Sequence, residues 1–88
     1  MSAWLAEIRV MLKPSINDPQ GLSIRNALRT LGFEVDAVRA GKLIQVRLEA
    51  PDQVKAEEAV ERMCSQLLAN PVIETYEFSL TEAPAHVP

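Results

Sequence analysis

Hydrophobic and polar residues change their period several times along this chain, and each change marks an element. From Ala6 to Leu12 they alternate, with Ala6, Ile8, Val10 and Leu12 on one side and Glu7, Arg9 and Met11 on the other, the pattern of a half-buried strand. Lys13-Pro14 ends it, because proline cannot donate to a sheet ladder. The polar stretch from Ser15 to Asp18 suits a turn. Asp18-Pro19 then predicts a helix start, the carboxylate capping free amides and the proline filling a first turn that needs no donor. Leu22, Ile24, Ala27, Leu28 and Leu31 recur at helical spacing, and Gly32 closes the helix.

Phe33 to Ala40 and Leu43 to Glu49 predict two strands turned tightly around Gly41 as a hairpin. Pro51-Asp52 opens a second helix whose apolar members are Ala56, Ala59, Val60, Met63, Cys64 and Leu67, and Asn70-Pro71 ends it. Val72 to Leu80 alternates again as a last strand. The order βαββαβ is that of the α+β ferredoxin-like fold, a four-stranded antiparallel sheet with two helices on one face. Residues 1–81 make one domain, and 82–88, with two prolines and no period, read as a flexible tail. Met11, Val38, Leu43 and Ile73 fall on the phase opposite to the core set, one in each expected strand. A sheet face that apolar is expected to be buried between subunits, in a homodimer or a larger homo-oligomer.

Composition then narrows the function. Eighty-eight residues leave much of the chain at the surface after folding, so a deep private active site is not expected. With 48% hydrophobic and 24% charged residues the chain should fold as an ordinary globular domain. A net charge of -3 gives no general attraction for nucleic-acid phosphates or anionic lipid, so neither is an expected partner. There is one cysteine, no cationic apolar leader and no apolar run of membrane-spanning length, so a cytoplasmic protein is expected.

Candidate chemistry is sparse. His86, the only histidine, sits in the tail without the fixed neighbours that catalysis or metal binding needs. Cys64 lies on the core side of the second helix and reads as a small buried hydrophobe. Glu57, Glu58 and Glu61 follow the wet side of that helix. Gly21, Gly32 and Gly41 form no phosphate-cradling loop. No catalytic, cofactor-binding or metal-binding residue is therefore expected. RNA-recognition domains of this topology stack bases on sheet aromatics, where this chain would offer Met11, Leu43 and Ile73. Acylphosphatases place an arginine-bearing phosphate loop after the first strand, where this chain has Lys13-Pro14-Ser15-Ile16-Asn17. Arg39 and Lys42 flank the expected hairpin tip Ala40-Gly41, a small positive projection on an acidic protein. Such a pair either protects a sheet edge or docks an acidic partner, so Arg39, Gly41 and Lys42 are the candidate partner-binding residues.

Several segments in order resemble the PurS family: Asp18-Pro19-Gln20-Gly21, Leu31-Gly32-Phe33, Val38-Arg39-Ala40-Gly41-Lys42, and the long run from Leu67 to Glu77 through Asn70-Pro71-Val72-Ile73-Glu74. Thr75 departs from the acidic residue expected there, and the tail is outside the pattern. The resemblance spans about Trp4 to Leu80. It implies a small non-catalytic subunit of phosphoribosylformylglycinamidine (FGAM) synthase, a complex of purine biosynthesis that turns formylglycinamide ribonucleotide, glutamine and ATP into the amidine. In that family the PurQ subunit releases ammonia from glutamine, PurL consumes it, and PurS dimers bind both. The resemblance implies that ATP and Mg are used by the complex and not bound by this subunit. The competing expectation is a stand-alone βαββαβ domain that senses a small molecule. A small enzyme is disfavoured for want of convergent polar groups.

Overall fold

The computed structural model describes residues 1–83. Its elements are β1 (Ser2–Leu12), α1 (Pro19–Thr30), β2 (Gly41–Ala50), α2 (Gln53–Met63) and β3 (Glu74–Glu82). β1 is the central strand of a three-stranded sheet in the order β2-β1-β3, antiparallel to both neighbours. This is the ferredoxin-like order with one outer strand missing, not the expected four strands. The alternation in the sequence is the alternation in space. Trp4, Ala6, Ile8 and Val10 of β1 are buried on one face, joined there by Ile44, Val46 and Leu48 of β2 and by Tyr76, Phe78 and Leu80 of β3.

α2 covers that face. Asp52 caps it by accepting from the Lys55 amide at 2.9 Å, and Ala56, Val60 and Cys64, each one turn apart, have no exposed surface. The helix widens at its end into a π-helical turn, Cys64–Leu68, where the Ala69 amide donates to the Cys64 carbonyl at 3.0 Å. The added residue lets both Leu68 and Ala69 join the core.

The missing strand is Phe33 to Ala40, which forms no ladder and leads directly into β2. Two polar side chains account for this. Arg39 donates to the carbonyls of Leu12, Lys13 and Ile16, and the Ala40 amide donates to Asp18 at 2.8 Å. The segment is thereby tied to the end of β1 and the start of α1 and does not fold back on β2. Gly41 is accordingly not a hairpin tip. It is the first residue of β2, paired with Met11, and a Cβ there would collide with the Val10 carbonyl oxygen and the Met11 sulfur. The positive φ belongs to Gly32, at 99°, which ends α1 as its position predicts.

The expected apolar second face is also corrected. The open face carries Leu5, Glu7, Arg9 and Met11 beside Leu43, Gln45, Arg47 and Glu49 on one flank and Thr75, Glu77, Ser79 and Thr81 on the other. Arg9 pairs with Glu77 at 3.1 Å and Gln45 donates to Glu7 at 3.3 Å, so most of this face is suited to water. Met11 and Leu43 do share it. Val38 lies instead in the irregular segment, and Ile73 in the turn before β3. β3 runs to Glu82, one residue into the stretch read as tail, and His86 with the rest of the tail lies outside the described residues.

Candidate partner-binding surface

α1 stands apart from the sheet. α2 packs on all three strands, whereas α1 has no comparable packing on any of them. The chain consequently measures 51 × 31 × 15 Å, with a radius of gyration of 16.7 Å. A compact domain of this length would have about 12 Å. The sequence explains what holds α1 where it is. Asp18, 8% exposed, accepts from the Gly21 amide at 3.0 Å as the helix cap and from the Ala40 amide with its other oxygen. These two amides, with Arg39 nearby, hold its carboxyl below the usual carboxylate range. Further along, Arg29 donates to the Val35 carbonyl at 2.9 Å and the Phe33 amide to the Leu28 carbonyl. Helix and irregular segment thus form one lobe, with Gly21 packed so closely on the Val38 carbonyl that no side chain would fit.

The other side of α1 is apolar and uncovered. Ile24 is 38% exposed, Leu31 73% and Phe33 58%, with Ala27 exposed between them. On the helix side of the sheet Ile44, Val46 and Phe78 are only half-buried, because α2 touches all three strands without covering their full width. The molecule therefore presents an unsatisfied helix face and an incompletely covered sheet face at once. Periodicity marked the α1 residues as apolar, but it assigned them to the chain's own core.

The residues singled out for partner binding also have partners within the chain. Arg39 is tethered by three carbonyls, and Lys42 reaches Glu74 at 3.5 Å with more than half of its side chain exposed. Glu74 is held below its ordinary pKa by the Asn70 amide first, and then by Lys42. Catalytic constellations are not found among the described residues. No group of histidine, cysteine, aspartate and glutamate side chains there could hold a metal ion. Cys64 is fully buried, and burial, with the Glu61 charge, pushes its thiol pKa up, away from the reactive thiolate. Tyr76 donates to Glu61 across the gap between β3 and α2. No helix of the described residues is long and apolar enough to cross a membrane.

A small α+β protein with apolar faces left uncovered on both helix and sheet is of the class built for contact with other surfaces. Comparison with known proteins makes this specific. Residues 5–82 match the family model described as PurS, phosphoribosylformylglycinamidine (FGAM) synthase. The PurS subunit of this synthase from Synechocystis sp. is 48% identical over 80 residues, covering 90% of this chain and 80% of the relative. The Thermus thermophilus PurS structure superposes with a TM-score of 0.85 at 38% identity, covering 93% of this chain and 99% of the other. A chain of the Thermotoga maritima PurLQS structure does so with a TM-score of 0.86 at 36% identity, covering 92% and 100%. The chain belongs to the PurS family.

Proposed function

We infer that the protein is the small subunit of FGAM synthase in purine biosynthesis, with no active site of its own. The observation that carries this reading is the family match over nearly the whole chain, in a fold whose neighbours include a chain of the PurLQS structure. Its partners are a PurL-type synthetase and a PurQ-type glutaminase, which it bridges in the cytoplasm. It binds no cofactor itself, while the complex uses ATP and Mg. The physical need for such a bridge is clear. Ammonia released in bulk water is protonated and diluted, whereas adjoining producer and consumer sites keep its effective concentration high. Arg39 and Lys42 are the basic groups offered to an acidic partner surface.

The protein works as a homodimer or larger homo-oligomer in which the apolar side of α1, with Ile24, Leu31 and the adjoining Phe33, packs on the half-covered sheet face of a second copy. The exposure of both surfaces in one chain supports this. It moves the centre of the oligomer surface from Met11, Val38, Leu43 and Ile73 to α1. The stand-alone sensor of small molecules lacks a supporting observation of this kind.

The deciding experiment is reconstitution. Leaving this protein out of a mixture with its PurL and PurQ partners should abolish glutamine-dependent FGAM formation and largely spare formation from ammonium salts. Undiminished glutamine-dependent synthesis without it would overturn the reading.

A further inference from the structure

Beneath α1, between the loop that follows β1 and the irregular segment, lies a cleft of about 430 Å³. Arg25 and Arg39 both line it, with Ser15, Asn17 and Asp18. One comes from α1 and the other from the irregular segment, and neither forms an ion pair within 4 Å among the described residues. Arg25 is half-buried. Its Nε is shut off from water without a hydrogen-bond partner, and Nη2 has only a long 3.4 Å contact to the Asn26 side chain. The Nη groups, with no closer partner than this, are the donors that an incoming oxyanion would meet. Arg39 is rigid, because three carbonyls hold it. Among the described residues Asp18 is the only carboxylate lining the cleft, and its two oxygens already accept from the Gly21 and Ala40 amides. It balances one of the two positive charges at most.

We propose that this cleft is a docking pocket for an acidic side chain of a partner subunit, a carboxylate seated between Arg25 and Arg39. Charge complementarity selects the occupant. The chain as a whole carries -3, so a site with surplus positive charge stands out against its own surface and attracts a carboxylate. The Nη groups of Arg25 and the N–H donors that Arg39 has left after its three carbonyls can donate to a carboxylate, and the Ser15 hydroxyl and Asn17 amide are at hand for the remaining lone pairs. The proposal rests on the reading of the chain as an assembly subunit and adds where one partner is gripped. It was not legible in the sequence, where Arg25 falls between the apolar positions of a predicted helix and Arg39 at an expected hairpin tip.

The test is titration of the wild-type protein and of Arg25→Glu, Arg25→Gln and Arg25→Lys into the PurL and PurQ partners, with light scattering and thermal unfolding of each variant alone. Arg25 is chosen because replacing Arg39 would also release the loop it holds. Arg25→Glu should weaken assembly at least tenfold and Arg25→Gln less, while Arg25→Lys stays near wild type; homo-oligomer mass and unfolding midpoint should not move. Inorganic phosphate should weaken wild-type assembly more than chloride at equal ionic strength, and should lose that excess effect in Arg25→Gln. Equal partner affinity for wild type and Arg25→Glu overturns the proposal, as does loss of the homo-oligomer in Arg25→Glu, which would seat a second copy's carboxylate in the cleft. Phosphate binding by the isolated chain with partner affinity untouched by Arg25→Glu also overturns it, in favour of a free small anion. Failure of the wild-type protein to bind either partner would instead defeat the assembly reading itself.

Discussion

The two helices of this protein were built from similar material and came to opposite ends. α2 buries Ala56, Val60 and Cys64 completely against the sheet. α1, of nearly equal length and with as many large apolar residues, buries only Gly21, and its position is set by Asp18, Arg29 and Arg39 through hydrogen bonds. One half of the molecule is held by apolar burial, the other by polar tethers. Apolar burial is complete in itself. Polar tethers fix an orientation and leave the apolar face available to another surface, which is what a subunit of an assembly requires.

Substitutions should separate the two regimes. The largest effect belongs to the α2 half. Ile8→Ala empties a fully buried position at the centre of the sheet and should cost about 2–5 kcal/mol, read from the urea midpoint. A loss near zero there would mean that the sheet is not the stable unit. Next, Ile24→Asp together with Leu31→Asp should leave the secondary structure intact while converting the homo-oligomer to monomer at micromolar concentration in sedimentation experiments, a loss of about tenfold or more in self-affinity. The unfolding temperature of the wild type should rise with protein concentration and that of the variant should not. An unchanged mass would remove α1 from the interface.

The tethers give smaller, pH-dependent effects. Asp18→Asn keeps a capping oxygen for Gly21 but weakens the tie to Ala40, so α1 should exchange its amide hydrogens faster while β1 keeps its protection. The sign of the pH effect follows from the lowered pKa of Asp18. Its stabilising contribution is complete above the ordinary value of 3.8 and is lost as pH falls through the lower folded value, so the Asn variant should lose less stability over that acid range than the wild type. The smallest effect is at Tyr76, whose hydroxyl donates to Glu61 and whose pKa is pushed up to about 12. With a raised folded pKa, its contribution is present below 10.0 and lost as pH rises through about 12, so Tyr76→Phe should flatten the alkaline limb of a pH–stability profile. An alkaline limb identical in both proteins would assign the tether no role in stability.

Both helix starts, Gly32 as the end of α1, and the inward phase of all three strands were readable in the sequence, because each depends on residues close together in the chain. Asp18 beside Pro19 caps a helix whatever lies around it, and Ile8, Val10, Phe78 and Leu80 alternate because strands do. Tertiary structure alone decided the course of Phe33 to Ala40. Its composition favours a strand, but three carbonyls exposed at the end of β1 and in the following loop needed donors, and Arg39 supplied them from more than 20 positions away. That choice took away the fourth strand, moved Gly41 from a hairpin tip to a strand start, and lifted α1 from the sheet. Periodicity reports which residues avoid water; whether they find cover in their own chain or in another is settled by contacts that no local pattern records.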